Sequence, residues 1–444
     1  VSGEDDQPGE PDLPGVSPPR GGDPAGKQSE GRGFARPSRR GLLGSGLAGV
    51  GGAGVALAAD RLTRPGPSPA ERARAATLAP VTGDHPHQPG IAERPPAQLV
   101  FTAYDLTVTG TAATHAALRD VLRAWTSAAR TLMSGGRLPG DGRDAAGLGP
   151  AGLTVTFGLG ASALTAAGLD AQLPGQLAAL PRFSTDALDP ARGGGDLSVQ
   201  VCAEDPMVAF SAARRLQRLA AGSLRPRWSQ RGFLRTAAAA ASPDATPRNL
   251  MGQVDGTDNP KPGTAAFAAA VWAGPESPAW MRDGSYLVCR RIRMLLDAWD
   301  RLSERGQERV IGRRKSDGAP LSADPDTATE TTPPDLSART PDGGLVIAAN
   351  AHIRLANPAF RGGVAMFRRG YSYDDGFDAN GNLDAGLFFQ AYQADPRTAF
   401  VPVQRALAAS DALTAFIEHT GSALFAIPPA APLGGYVGQP LLES

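Results

Sequence analysis

The chain runs twice through the same succession of apolar patterns, and this repetition restricts its fold more than any single motif. LVFTAYDLTV (Leu99 to Val108) reads as a buried strand. AATHAALRDVLRAWTSAARTLM then puts Leu118, Val121, Leu122, Trp125, Ala129 and Leu132 on one helical face, with Gly135 and Gly136 closing it. LTVTFGL and DLSVQVC are a second and a third strand, PMVAFSAARRLQRLA is a helix with proline in its first turn, and RWSQRGFLR is a fourth strand. Further along, SYLVCRRIRM is a strand and LLDAWDRLSERGQERVIG a helix. AMFRRGYSY and LFFQAYQ are strands, TAFVPVQRALAASDALTAFIEHT a helix and SALFAIP the last strand. Each half reads β-α-β-β-α-β, the ferredoxin-like unit. The expected fold is α+β, two such units with antiparallel sheets, over residues 97–245 and 246–440. A Pro/Asp/Thr-rich insertion at about 316–343 interrupts the second and is expected to be mobile surface.

The first 35 residues are rich in Pro, Gly and acids and read as disordered. Arg39 and Arg40 then precede a Gly/Ala-rich apolar run of 19 residues, Gly41 to Ala59, with a small-x-small end at Ala56-Leu57-Ala58. So much glycine makes a poor membrane anchor. Arginine pair, apolar run and cleavage-like site in this order resemble a twin-arginine export signal, which implies the export machinery as a partner and a location outside the cytoplasm. Residues 59–96 read as a Pro- and Arg-rich linker.

Lys+Arg and Asp+Glu balance at 44 each, which gives no indication of a nucleic-acid or membrane-surface binder. Arginine far outnumbers lysine, and RR pairs recur, so an arginine alone identifies little. The two cysteines, Cys202 and Cys289, are too few for a thiolate metal site and read as small buried hydrophobes, with a single bridge between them as the alternative. The chain has no HExxH, G-x-S-x-G or P-loop motif. Of the five histidines, His85 and His87 lie in a proline-broken loop, His115 reads as helix surface and His419 as a helix C-terminal residue favoured by the dipole. His352 lies in the mostly apolar AANAHIRLANPAF, where a satisfied core histidine is the ordinary reading. Asp255 lies between Gly252 and Gly256 in RNLMGQVDGTDNP, a sharply bent loop that presents a carboxylate, or a simple Asx-type turn.

Three ordered segments distinguish among these readings. GQVDG with the following T-x-N-P, AHIRLANP and FRRGYSY closely resemble signature segments of the dye-decolourising haem peroxidases, in their twin-arginine-exported bacterial branch. HQPGI, IGRRKSDG-x-PL and LFFQAYQ resemble it too, so the likeness runs from about residue 85 to about 440. The resemblance implies one b-type haem per chain, held in the C-terminal half. His352 would be its proximal iron ligand, and Asp255 and Arg368 would lie on the distal face, with Arg369 as the alternative distal arginine. It implies hydrogen peroxide as oxidant and aromatic or dye-like one-electron donors. Gly252 and Gly256 would position the Asp255 loop.

The imidazole of such a ligand usually gives its second N–H to a carboxylate, for which Asp411 is the candidate and Glu418 the alternative. On the peroxide side a carboxylate can accept and return a proton while an arginine stabilises the departing oxygen. Arg354 and Arg313 are the expected partners of the haem propionates. Phe388 and Phe389 would wall the distal pocket or serve as ordinary core. Bulky donors imply electron transfer through surface aromatics, drawn from Trp125, Trp228, Trp272, Trp280, Trp299, Tyr371 and Tyr392. Two other roles fit the same pocket, deferrochelatase-like release of iron from haem and a non-catalytic haem carrier.

Overall fold

Two antiparallel four-stranded sheets with the same strand order meet edge to edge and close into a ring. The computed structural model describes residues 78–443 other than 84, 141, 237–238, 240–244 and 361–363, together with residues 71 and 75. The twin-arginine segment and the apolar run after it lie outside the described residues, among which no helix is long and apolar enough to cross a membrane.

In the first half, β1 (Gln98–Leu106), α1 (Thr111–Met133), β2 (Thr154–Leu159), β3 (Leu197–Ala203), α2 (Pro206–Leu219) and β4 (Leu224–Phe233) follow in turn. Their strands are ordered β4-β1-β3-β2. A short helix, α3 (Ala265–Val271), that the apolar pattern did not announce leads into β5 (Ser285–Met294). The expected long helix after β5 is two pieces, α4 (Leu296–Asp300) and α5 (Glu304–Ile311). Ser303 divides them, accepting the Gly306 N–H at 3.2 Å as an N-cap, and Gly312, at φ 95°, ends the second. Then come α6 (His352–Ala356), β6 (Phe367–Arg368), β7 (Tyr371–Phe377), β8 (Leu383–Gln393), α7 (Phe400–Ser410) and β9 (Ile417–Ile427). These strands are ordered β9-β5-β8-β7, the arrangement of the first half, with β6 continuing the β7 edge of β8.

The halves join where Leu159 of β2 pairs with Ala426 of β9 and Phe233 of β4 with Ser372 of β7. Because β5 also pairs with β8, the strands form a closed barrel with apolar side chains on both of its faces. β3 shows the pattern: Leu197, Val199 and Val201 turn outward to pack under α1 and α2, while Cys202 joins Phe101, Tyr371, Phe388 and Phe425 inside. The expected face of α1 is the one that packs, and Trp125 donates its indole N–H to the Leu216 carbonyl of α2 at 2.8 Å. Cys202 and Cys289 are both buried and free, so the alternative bridge is not made.

Two readings are corrected here. Residues 88–91, inside the segment 59–96 read as linker, are part of the packed fold. Gln88 is buried and donates to the carbonyls of Phe157 and Pro428, at 3.0 and 2.9 Å, and Ile91 enters the barrel core. His419 does not end a helix. The helix stops at Ser410, a short 3-10 turn follows over Ala412–Phe416, and the strand begins at Ile417, which places His419 within β9 and buried. Asp411 makes that break, its backbone extended and its carboxylate capping the Leu413 N–H at 2.8 Å.

Candidate active site

His352 opens α6, and its Nδ1 lies 2.7 Å from Oδ2 of Asp411, whose side chain is 2% exposed. A buried carboxylate can only accept there, so Nδ1 carries the proton and the Nε2 lone pair is left free. Glu418, the other candidate partner, instead stands in β9 opposite Arg293. Burial opposes protonation of His352, yet the Asp411 charge and hydrogen bond override it and lift the pKa above the ordinary value. Asp255 adds to that rise and Arg368 works against it. Both groups therefore lie within electrostatic range of the imidazole although they come from distant segments.

Asp255 sits in a loop built to hold it. Gly252 and Gly256 have φ values of 78° and 118°, in the region that favours glycine. Asn249 closes the bend by accepting the N–H groups of Met251 and Gln253 at 3.0 and 3.3 Å, and its amide donates to Asp255 Oδ2 at 3.1 Å. Arg248 ties the loop to the next turn, donating to the carbonyls of Gly252, Lys315 and Ser316 at 2.8, 2.6 and 2.6 Å. A Cβ on Gly252 would stand 2.8 Å from Lys315 Cε, so this glycine serves the packing of the loop on its neighbour as well as the bend itself.

Arg368 is oriented by Asn259, the asparagine of the T-x-N-P segment. Asn259 Oδ1 accepts the Arg368 backbone N–H at 3.1 Å and its Nε at 3.2 Å, and Asn259 Nδ2 donates to the Arg368 carbonyl at 2.7 Å. A guanidinium nitrogen also donates to the Thr257 carbonyl. Arg369 points elsewhere. It is 1% exposed and donates to the carbonyls of Ile91 and Glu93, beside Cys202 and Tyr371 of the barrel core. The Asp255 side of the site thus receives the first arginine of the pair.

The two propionate candidates differ. Arg313 donates Nη1 to the carbonyls of Gly318 and Glu330 at 2.8 and 2.7 Å and lies within electrostatic range of Arg368. Burial pushes its pKa down, which makes an anionic partner favourable. Arg354 is instead engaged by main chain. Its Nε donates to Ala348 and its Nη2 to Leu336 and Ile347, at 3.1, 2.6 and 2.7 Å, so it clamps the insertion against α6. Of the two readings of Phe388, its packing matches ordinary core. Phe388 packs inside the barrel against Phe101 and Trp228, lining a cavity of only about 10 Å³ with Cys289 and Arg291. Leu387 and Phe389 take the opposite face of β8, Leu387 beside Met251 and Leu413 and Phe389 beside Phe400. Of the candidate relay aromatics, Trp228 and Trp272 are half-buried and the other five are buried.

The residues present suit haem. A single imidazole whose Nδ1 is engaged by buried Asp411 leaves its Nε2 to serve as the one protein ligand such a group would need. Asn249, Asn259 and Arg248 escaped the sequence reading as site residues. Their signal was their place inside the RNLMGQVDGTDNP segment.

Residues 88–234 match the family described as Dyp-type peroxidase, N-terminal, and residues 246–432 that described as Dyp-type peroxidase, C-terminal. The chain is 48% identical over 426 residues to a dye-decolorizing peroxidase of Thermobifida fusca, covering 91% of this chain and 97% of that protein. It is 36% identical over 431 residues to a deferrochelatase of Escherichia coli, covering 93% and 98%. Among solved structures, ferric DtpA from Streptomyces lividans superposes with a TM-score of 0.80 at 50% identity, covering 84% of this chain and 99% of that one. A DyP-type peroxidase from Streptomyces coelicolor does so with a TM-score of 0.80 at 49% identity, with the same coverage. The chain belongs to the Dyp-type peroxidase family and is a haem peroxidase.

Proposed function

We propose that the chain reduces hydrogen peroxide at the expense of aromatic or dye-like one-electron donors, with His352 as the residue that would hold the iron of a b-type haem and Asp255 and Arg368 acting on the peroxide. The supporting observation is the constellation itself: an imidazole whose Nδ1 is engaged by buried Asp411, with an aspartate and an arginine from two other segments in electrostatic reach of it. Haem, when bound, supplies the redox-active iron and the electrons that reduce peroxide to two waters, replaced one at a time by the donors. Asp411 draws on the Nδ1 proton and makes the imidazole a stronger ligand. Asp255 accepts the proton from one peroxide oxygen and returns it to the other. The Arg368 guanidinium stabilises the negative charge of the departing oxygen. Arg313 is the proposed partner of a propionate.

The architecture supports a duplicated ferredoxin-like chain, residues 97–245 and 246–440, with haem in the second unit. The Arg39-Arg40 segment supports export by the twin-arginine route. Stopped-flow visible spectroscopy of haem-loaded protein mixed with one equivalent of peroxide tests the activity. A rapid Soret change that donors reverse is expected, and Asp255→Ala and Arg368→Ala should each slow it while retaining haem. Slow bleaching of the wild-type Soret band would sink the peroxidase assignment of these residues. The deferrochelatase relative motivates a second reading, release of iron from haem with the porphyrin intact. Iron-free protoporphyrin among the products, identified by fluorescence, would establish it.

A further inference from the structure

The insertion between α5 and α6 is expected from its composition to be loose surface, but it is tied down at both ends of the site. At one end, Arg354, two residues beyond His352, binds the carbonyls of Leu336, Ile347 and Ala348. At the other end stands Glu330. Its Oε1 accepts the Thr246 hydroxyl and its Oε2 the Thr257 hydroxyl, both at 3.0 Å. Thr246 and Thr257 flank the segment that contains Asp255, so the two oxygens of one carboxylate hold that loop at both of its ends. The Glu330 carbonyl is held in turn by Arg313 Nη1 at 2.7 Å. Beside it, Gly318 packs so closely on the loop that an added Cβ would lie 3.0 Å from Cβ of Val254, the residue before Asp255.

We infer that Glu330 is a positioning residue for Asp255. Its carboxylate is engaged by the two threonine hydroxyls, and it fixes the span of the loop that aims the Asp255 carboxylate. Two hydrogen bonds that share one side chain restrain both ends of a glycine-rich bend at once. A loop with φ values of 78° and 118° at its two glycines has many other conformations open to it once those ends are released. The inference rests on the proposed role of Asp255, and one readout of its test is independent of that role.

The test is amide hydrogen exchange on haem-loaded wild type, Glu330→Ala and Glu330→Gln, paired with the rate of the peroxide-driven Soret change from pH 3 to 8. Glu330→Ala should raise exchange across the peptide containing residues 247–256 by about tenfold, the equivalent of one to two net hydrogen bonds, and leave the β1 peptide unchanged. The peroxide step should slow and its pH profile shift, while haem stoichiometry and the KM for donor stay the same. Glu330→Gln keeps an acceptor and adds a donor that the threonine hydroxyls can accept, so it should restore most of both effects. If Glu330→Ala does not fold, the double variant Thr246→Val/Thr257→Val removes the same two bonds from the other side. Unchanged exchange in the 247–256 peptide would overturn the inference, as would faster exchange with an unaltered peroxide rate and pH profile. Failure of Asp255→Ala to affect the peroxide rate would instead count against the proposed function and leave the exchange result standing.

Discussion

Asn259 holds Arg368 by three hydrogen bonds, accepting its backbone N–H and its Nε and donating to its carbonyl, at 3.1, 3.2 and 2.7 Å. One amide therefore fixes both the strand position and the side-chain direction of the arginine that faces the site. A leucine would fill much of the same volume and make none of these bonds. In Asn259→Leu the guanidinium keeps its charge but loses its bearing. We predict that haem content is retained while the peroxide-driven Soret change slows by about tenfold or more, the equivalent of misdirecting one charge-stabilising donor. Stopped-flow rates at matched haem occupancy check this, and a rate equal to wild type would show that Arg368 finds its direction without Asn259.

The Asp411 contact makes a second prediction. Asp411→Asn preserves shape and still offers a carbonyl to Nδ1, but it withdraws the negative charge that makes the imidazole basic. Replacement of a carboxylate that supports a metal-ligating histidine typically costs about 10–100-fold in affinity or activity, and a loss within that range is expected here. The haem reduction potential should rise, because a less electron-rich imidazole stabilises ferric iron less. Haem titration of the apoprotein and spectroelectrochemistry check the two effects. Unchanged affinity and potential would remove Asp411 from the proposed role.

How much of this was legible in the sequence depends on which physical signal carried each feature. Periods of 3.6 and 2 placed α1 and the core strands, because each half-buried element records its orientation in alternation. His352, Asp255 and Arg368 were named from motif segments, and the fold brings Asp255 and Arg368 into electrostatic range of His352. Phe388 could not be assigned to a face because β8 is apolar on both sides, so alternation there carries no sign. The choice between Arg368 and Arg369 was open for a related reason: neighbouring residues in extended chain point opposite ways, and two identical side chains do not say which way is inward. The main-chain partners of Arg354 were not legible because no residue pattern records a bond to a carbonyl. The long helix before β9 failed at Asp411, where a cap intervened in an otherwise continuous helical period.

Phe388 supplies a test of the barrel as distinct from the site. It is 1% exposed and in contact with Phe101 and Trp228 inside the ring of strands. Phe388→Ala should destabilise the protein by about 3–5 kcal/mol, the usual cost of emptying a packed aromatic site, without slowing the peroxide step at temperatures where the protein stays folded. Phe389→Ala, on the outer face of β8, is the natural comparison. Urea denaturation beside stopped-flow kinetics separates the two quantities, and a Phe388→Ala enzyme of full stability and impaired rate would return that residue to the haem pocket.

His419 predicts how stability responds to acid. It is buried in β9, with Arg290 Nε donating to its Nδ1 at 3.4 Å and Gln404 at 3.3 Å from its Nε2. Burial first, and the Arg290 charge second, hold its pKa down at about 3 against the opposing charge of Asp186. In the unfolded chain it titrates near the ordinary value of about 6.5. Between these two values the unfolded state binds the proton that the folded state refuses, so stability falls as pH drops through this window and is unaffected by the group above it. His419→Gln keeps a neutral hydrogen-bonding side chain and has no proton to take up. The variant should therefore lose less stability than wild type between pH 7 and pH 4, by an amount on the order of a few kcal/mol. Urea unfolding at the two pH values, with and without the substitution, measures the difference directly. Parallel losses in both proteins would show that other buried groups, and not His419, set the acid limit of the fold.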